Sequence, residues 1–226
     1  MSKLDKLKSH ARRWGWWRTG YWLAMRAASK FLGLEVFVLR ICVTPEQGSG
    51  SRCELPGVTF RLVSDEELLN SVSDTALPLN DEFVRAAIDR GDLAFGAFHE
   101  GALIAYMWRS TGSAPHTEDC WVRVERPYCY SYNSFVKPEF RGRHLVPELI
   151  LYSDQEMLKK GYTHRAGIIA VTNFPSLGMG KHLGSYVVGH VGFLNWFGRY
   201  LFFHSRPAAD IGFRFFQPSR DKGDGS

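Results

Sequence analysis

One stretch constrains the fold of this chain more than any other: NSFVKPEFRGRHLVPELIL, from Asn133 to Leu151. The residues up to Val136 predict a strand, Pro138 bounds a turn, and Arg141-Gly142-Arg143 leads into a helix expected from about His144 to Lys160. Along that helix Val146, Leu149, Ile150, Ser153 and Met157 share one face. Glu148, Gln155 and Lys159 lie opposite, and Gly161 supplies the stop. A strand that hands over to an amphipathic helix must bury the helix's apolar stripe on a sheet. The next strand candidate, Arg165 to Val171, completes a strand–helix–strand crossover.

The start of such a helix has its own chemistry. Its first N–H groups have no intrahelical partner, and the helix dipole is positive there, worth about 0.3 to 2 kcal/mol to an anion. Arg141 and Arg143 add charge, Gly142 permits close backbone approach, and Pro147 sits where a missing N–H costs nothing. The turn formed by Arg141, Gly142, Arg143, His144, Leu145 and Val146 is therefore equipped to hold a pyrophosphate.

Around this crossover the pattern predicts a strand at Val58 to Val63. Ser64 and Glu67 form a capping box for a helix through about Val72, and Asn80 caps Asp81 to Arg90. Leu93 to Ser110 reads as a hairpin turning at His99 to Ala102. A second hairpin is expected from Cys120 to Glu125 and Tyr128 to Val136, turning at Arg126-Pro127. A short helix, Phe174 to His182, precedes strands at Tyr186 to Leu194 and Arg199 to His204. The expected class is α+β: a mixed, mainly antiparallel sheet with flanking helices over residues 58–205. A helical extension (1–45) and a Gly/Ser/Pro-rich linker (46–57) precede it, and a tail (206–226), partly disordered, follows.

On these motifs the chain resembles the GNAT N-acetyltransferase superfamily, from about Val58 to His204. In that family a strand ending in V-x-P is followed by an R-G-x-G-x-G/A loop that binds the pyrophosphate of acetyl-coenzyme A. Val136, Pro138, Arg141, Gly142 and Arg143 match, while His144 and Val146 stand at the two later glycine positions. NFPSLGMGKHLGS (Asn173 to Ser185) is similar to the family's N-x-x-(A/S)…Y-x-x-x-G-F segment through Asn173, Ser176 and Gly184. Gly180 stands where the family's thiolate-protonating tyrosine falls, and Ser185 where the phenylalanine does. The resemblance implies a GNAT-like fold and transfer of an acyl group from acetyl-CoA or a longer acyl-CoA to an amine. It also implies an oxyanion donor at the amide of Phe135 or Val136. The pantetheine arm would lie between that strand and the strand ending at Asn173, which adds Asn173 and Ser176 to the donor site.

Such a reaction needs a neutral amine, a polarised carbonyl and a proton for the leaving thiolate. An amine of pKa about 10.4 must lose a proton, and a positioned base contributes typically about 10²- to 10⁴-fold. Strand alternation places Tyr130, Tyr132 and Ser134 on one face, with Ser131 and Asn133 on the other. Tyr130, Tyr132 and Asn133 are the candidates for proton handling or acceptor contact, and Tyr186 is the candidate replacement acid. The histidines and cysteines show no metal-ligand spacing, so no metal is expected. Small molecules, peptides and lipid-linked amines all remain open as acceptors.

The net charge of +5 is concentrated at one end. Residues 1–40 carry Lys3, Lys6, Lys8, Arg12, Arg13, Arg18, Arg26, Lys30 and Arg40 against Asp5 and Glu35, and the rest is slightly acidic. At 100° per residue Trp14, Trp17, Tyr21, Met25, Ala28 and Leu32 share one helical face, with Lys8, Arg12, Arg26 and Lys30 near the opposite one. A basic, Trp-rich helix suits an anionic membrane surface. The same face could instead pack on the domain or on a second copy in a homodimer. A non-catalytic GNAT-fold module that binds a membrane or a protein partner is the competing reading. Nucleic acid is disfavoured, because the acidic body offers no basic groove. The cysteine spacing predicts reduced thiols in a cytoplasmic protein, with the inner face of the membrane as the place for the extension.

Overall fold

The computed structural model describes residues 3–44 and 53–218. Two helices, α1 (Lys3–Trp14) and α2 (Trp16–Leu32), lead into strand β1 (Leu34–Val43). After β2 (Val58–Leu62) come α3 (Asp65–Ser71) and α4 (Asp81–Asp89), then β3 (Leu93–His99) and β4 (Ala102–Ser110). Short strands β5 (Ser113–Pro115) and β6 (Trp121–Arg123) precede β7 (Tyr128–Val136), a 3₁₀ turn (Pro138–Phe140) and α5 (Leu145–Lys159). The chain closes with β8 (His164–Ala170), α6 (Phe174–His182), β9 (Tyr186–Trp196), β10 (Arg199–His204), α7 (Arg206–Asp210) and β11 (Arg214–Phe216).

Local chemistry sets the early boundaries. Ser64 Oγ accepts from Glu67 N–H while the Glu67 carboxylate reaches back to Ser64 N–H, closing the expected capping box. Asn80 Oδ1 accepts from Phe83 N–H at the start of α4. Eight strands form the main sheet in the order β10-β9-β1-β8-β7-β4-β3-β2, antiparallel except for the β7–β8 pair. Two apolar layers cover its faces. Leu145, Leu149, Ile150 and Met157 of α5 pack against Phe95, Ala97, Ile104 and Met107 on one side. Trp108, Tyr106, Val84, Leu68 and Phe213 belong to the core on the other.

Three sequence expectations change. The apolar run at the end of the extension is an interior strand, since β1 pairs with β8 on one edge and β9 on the other. Its near-continuous apolar sequence, LEVFVLRICV, fits a strand covered on both faces. The hairpin expected between Cys120–Glu125 and Tyr128–Val136 does not form. β6 instead pairs with β5 and β11 in a separate three-stranded sheet, and β7 joins β4 and β8. The single amphipathic helix of the extension is two helices, broken at Gly15, whose φ of 83° is a left-handed conformation open to glycine. In the C-terminal segment, α7 and β11 are ordered elements, with Ala208 and Phe213 buried. Most of the linker (residues 45–52) and the end of the tail (219–226) lie outside the described residues.

Candidate active site

The site is made by two strands that part. β7 and β8 pair in parallel only at Tyr128–His164, Cys129–Arg165 and Tyr130–Ala166, and beyond that they have no ladder. A β-bulge helps to separate them. Along β4 the partners are Tyr106–Phe135 and then Trp108–Tyr132, so Asn133 and Ser134 together oppose Met107. Asn133 takes φ 41°, a conformation asparagine tolerates better than most residues. The bulge also corrects the expected alternation: Ser134 shares a cavity wall with Ser131.

Three cavities adjoin along this opening. The first, about 740 Å³, is walled by Val136, Arg141, Gly142, His144, Leu145 and Val146 with Trp14 and Phe174 across from them. The second, about 230 Å³, continues between α5, α6 and the parted strands, where Ser131, Ser134, Asn173, Ser176, Gly180 and Arg40 line it. Val146, Met179 and Leu183 are common to both. The third, about 940 Å³, opens toward α4 and β6 and shares Ser131, Ser134 and Ile168 with the second.

At the first cavity the sequence-predicted turn stands at the N-terminus of α5. Gly142 has φ 77° with open space where a Cβ would sit, and His144 is the left-handed N-cap at φ 57°. Leu145 and Val146 follow in the first turn, whose N–H groups lack intrahelical acceptors. Arg141 sits over the Phe135 ring and donates from Nε to the Val136 carbonyl at 3.2 Å. The His144 imidazole lies 3.0 Å from Glu54, and the Arg143 carbonyl accepts from Glu54 N–H, so this turn is tied to the chain before β2. Arg143 is exposed and is not among the residues walling the cavity; the Phe135 ring stacks on Tyr106, while the expected donor at that position is its backbone amide. The open space at Gly142, the bare helix start and the Arg141 cation fit a diphosphate.

Asn173 caps α6 by accepting from Ser176 N–H at 3.3 Å, which fixes both residues in the second cavity. Sequence reasoning missed Arg40 there. It comes from β1, donates from Nε to Ser185 Oγ at 2.8 Å and from Nη2 to the Ser185 carbonyl. Behind this cavity, Asp154 of α5 pairs with Arg109 of β4 at 2.8 Å and Arg165 of β8 at 3.0 Å. Arg109 also donates to Ser153 Oγ at 2.6 Å. This buried group ties α5 to β4 and β8, the strands on either side of β7, and so fixes the helix over the parting strands.

Tyr130, Tyr132 and Asn133 all border the third cavity. Tyr130 is buried in the core and stacks on Tyr132, and burial pushes its phenol well above the usual range. Tyr132 donates to Asp92 at 2.6 Å, and Asp92 pairs with Arg90 at 2.9 Å. Burial, then the Asp92 charge, hold the Tyr132 phenol protonated. Tyr186 lies half exposed on β9 and walls none of the three cavities. His116, which the sequence did not single out, does border the third cavity. Its ring packs edge-on to Phe37 at 4.8 Å and near Phe193 and Phe215, and burial pushes its pKa down. Among the described residues no group of His, Cys, Asp or Glu could hold a metal ion.

A mixed sheet opened between two parallel strands, with a glycine turn at the following helix, is the fold of the GNAT acetyltransferases. Among solved structures, a GNAT-family protein from Novosphingobium aromaticivorans superimposes with TM-score 0.50 at 16% identity, covering 70% of this chain and 62% of that one. A GCN5-related N-acetyltransferase from Sphaerobacter thermophilus gives TM-score 0.50 at 13% identity, over 86% of this chain and 56% of that one. A tandem GNAT protein from the clavulanic acid biosynthesis pathway gives TM-score 0.50 at 17% identity, over 81% and 58%. The chain thus spans less than two thirds of the length of each of these three. No family model and no curated protein matches the sequence.

Proposed function

We propose that the protein is an acyl-CoA-dependent N-acyltransferase. The observation that carries this reading is the line of three adjoining cavities that runs past the gap between β7 and β8, with the bare N-terminus of α5 at one end and a polar, aromatic-walled mouth at the other. The diphosphate of an acyl-CoA sits on Gly142, the α5 amides and Arg141. The pantetheine arm passes Asn173 and Ser176, and the amine enters from the side of His116 and Asn133. Glu82 and Glu118 on that side favour a cationic amine.

In the reaction the amine nitrogen bonds to the thioester carbon, the C–S bond breaks, and the second proton that the nitrogen sheds on becoming an amide passes to the departing thiolate. His116, kept neutral by its apolar surroundings, is the group able to take the ammonium proton on the acceptor side. Arg40 supplies positive charge beside the leaving sulfur, in place of a phenol. An acetyl or a longer acyl chain meets the same requirements.

Thermal unfolding with acetyl-CoA and longer acyl-CoAs, followed by thiol release with small, peptide and lipid-linked amines, tests the reading. A raised melting temperature is expected, because the ligand binds the native state alone. Absence of any shift, with no thiol release, would leave a non-catalytic module of this fold.

A further inference from the structure

Helix α2 carries large apolar side chains on its outward as well as its inward side. Its inward side carries Thr19, buried, with Trp22, Met25 and Ser29 half-buried. The Thr19 hydroxyl donates to the Gly15 carbonyl and meets His10, and Ser29 donates to Glu35. The outward side is apolar. Trp16 is 70% exposed, Trp17 90%, Leu23 45%, Phe31 76% and Leu32 49%, and Gly20, Ala24 and Ala27 fill the gaps between them. Trp16, Gly20, Leu23, Ala27 and Phe31 recur at the spacing of one helical stripe.

A second element continues this surface. Asn195 donates its N–H to the Gly33 carbonyl at 2.9 Å, and Leu194 pairs with Leu34. That bond brings the β9–β10 tip beside the C-terminal end of α2. The tip presents Trp196, 55% exposed, and Phe197, 94% exposed with φ 49°. Two segments far apart in sequence thus place bare aromatics at one edge of the molecule.

We infer that this edge docks on an anionic lipid surface. Charge and side-chain type choose that occupant. α2 contains no acidic residue, and Arg18, Arg26 and Lys30 flank its apolar stripe while Arg12 and Arg13 end α1. Tryptophan rings backed by arginine and lysine match the level of phospholipid headgroups, where an aromatic body is buried and a cation meets phosphate. No helix among the described residues is long and apolar enough to cross a membrane, so the contact lies in the interface. Trp14, one residue before the α1–α2 break, walls the first cavity, which sets that cavity's mouth beside the docked face.

Sedimentation of the full chain with phosphatidylcholine vesicles, with and without a third of phosphatidylglycerol, tests this. Strong binding to the anionic vesicles is expected, falling with salt, with at least tenfold weaker partition for the Trp17→Ser/Phe31→Ser double variant and for Phe197→Ser. Thermal unfolding of these variants should match the parent, since all three side chains are largely exposed. No sedimentation with anionic vesicles, or equal sedimentation of parent and variants, overturns the inference. So does a dimer in light scattering that the same substitutions abolish, because the face would then belong to a second copy. Acyl-CoA binding by the same variants is read separately, so failure of lipid docking is distinguishable from failure of the transferase reading.

Discussion

A Cβ added to Gly180 of α6 would lie 2.8 Å from Nε of Arg40 on β1. The guanidinium therefore occupies the space beside α6 that a larger side chain would take, so a substitution there has to move Arg40. Ser185 holds the arginine beside Gly180, and its own hydroxyl donates to the Gly180 carbonyl at 2.5 Å. A residue from the N-terminal segment thus stands where the GNAT resemblance places a phenol.

If Arg40 stabilises the departing thiolate, Arg40→Met lowers kcat by about 10- to 100-fold, or about 1.4 to 2.8 kcal/mol of barrier. Acyl-CoA affinity should change little, and Arg40→Lys should recover part of the rate. Gly180→Tyr should displace Arg40 and lower the melting temperature without raising the rate. Single-turnover thiol release alongside binding isotherms makes the measurement. An unchanged kcat in Arg40→Met would remove the arginine from the chemistry.

Arg141 and Arg143 offer an internal comparison. Arg141 walls the first cavity, the proposed acyl-CoA site, and Arg143 does not. Arg141→Ala should weaken acyl-CoA binding about tenfold, as expected for loss of a charge-assisted contact worth about 1.5 to 3 kcal/mol in part-solvated surroundings. Arg143→Ala should cost less than half of that in free energy. Raising salt should narrow the gap. Equal losses measured by calorimetry would show that the turn's charge acts as a diffuse field.

The turn at the start of α5 was legible because it is local in sequence. A strand, a proline, Arg-Gly-Arg and a helix follow one another in sequence, and the structure places Arg141 to Val146 at one helix start. The capping box at Ser64 was legible for the same reason. Arg40 and His116 were not, since each reaches the cavities through pairing between segments distant in sequence. One signal existed for Arg40: LEVFVLRICV has the continuous apolar character of an interior strand, with a single arginine in it. The Asn133 bulge hid a different thing, because one extra residue reverses the face of everything beyond it. The break at Gly15 did the same for the extension, where Trp14 turned inward to Phe174 while Trp17 faced out.

The buried charges around Asp154 should dominate stability. Asp154→Asn leaves Arg109 and Arg165 without their carboxylate inside the sheet–helix interface. A loss of about 3 to 5 kcal/mol is expected, as when one partner of a buried ion pair is removed. Ser153→Ala, which removes only the hydroxyl that Arg109 reaches, should cost about 1 kcal/mol. Denaturant titration separates the two, and near-equal costs would mean that Asp154 contributes mainly as a hydrogen-bond acceptor.

His116 gives the pH dependence. Phe37, Phe193 and Phe215 surround its ring, so burial favours the neutral imidazole and its folded pKa lies below the ordinary value of about 6.5. As pH falls through about 6.5 the unfolded chain takes up this proton before the folded one does. The contribution to stability is therefore complete above that pH and declines below it. For catalysis, a neutral base retained below pH 6.5 should hold kcat/KM up until the lowered pKa is reached. His116→Gln should reduce the rate by about 10²-fold or more, in line with loss of a positioned base. It should also remove both the acid limb of the rate and the matching loss of stability. Rate profiles and unfolding midpoints from pH 5 to 8 read the two effects together. A variant that keeps the parental acid limb would assign the base to another group on this wall.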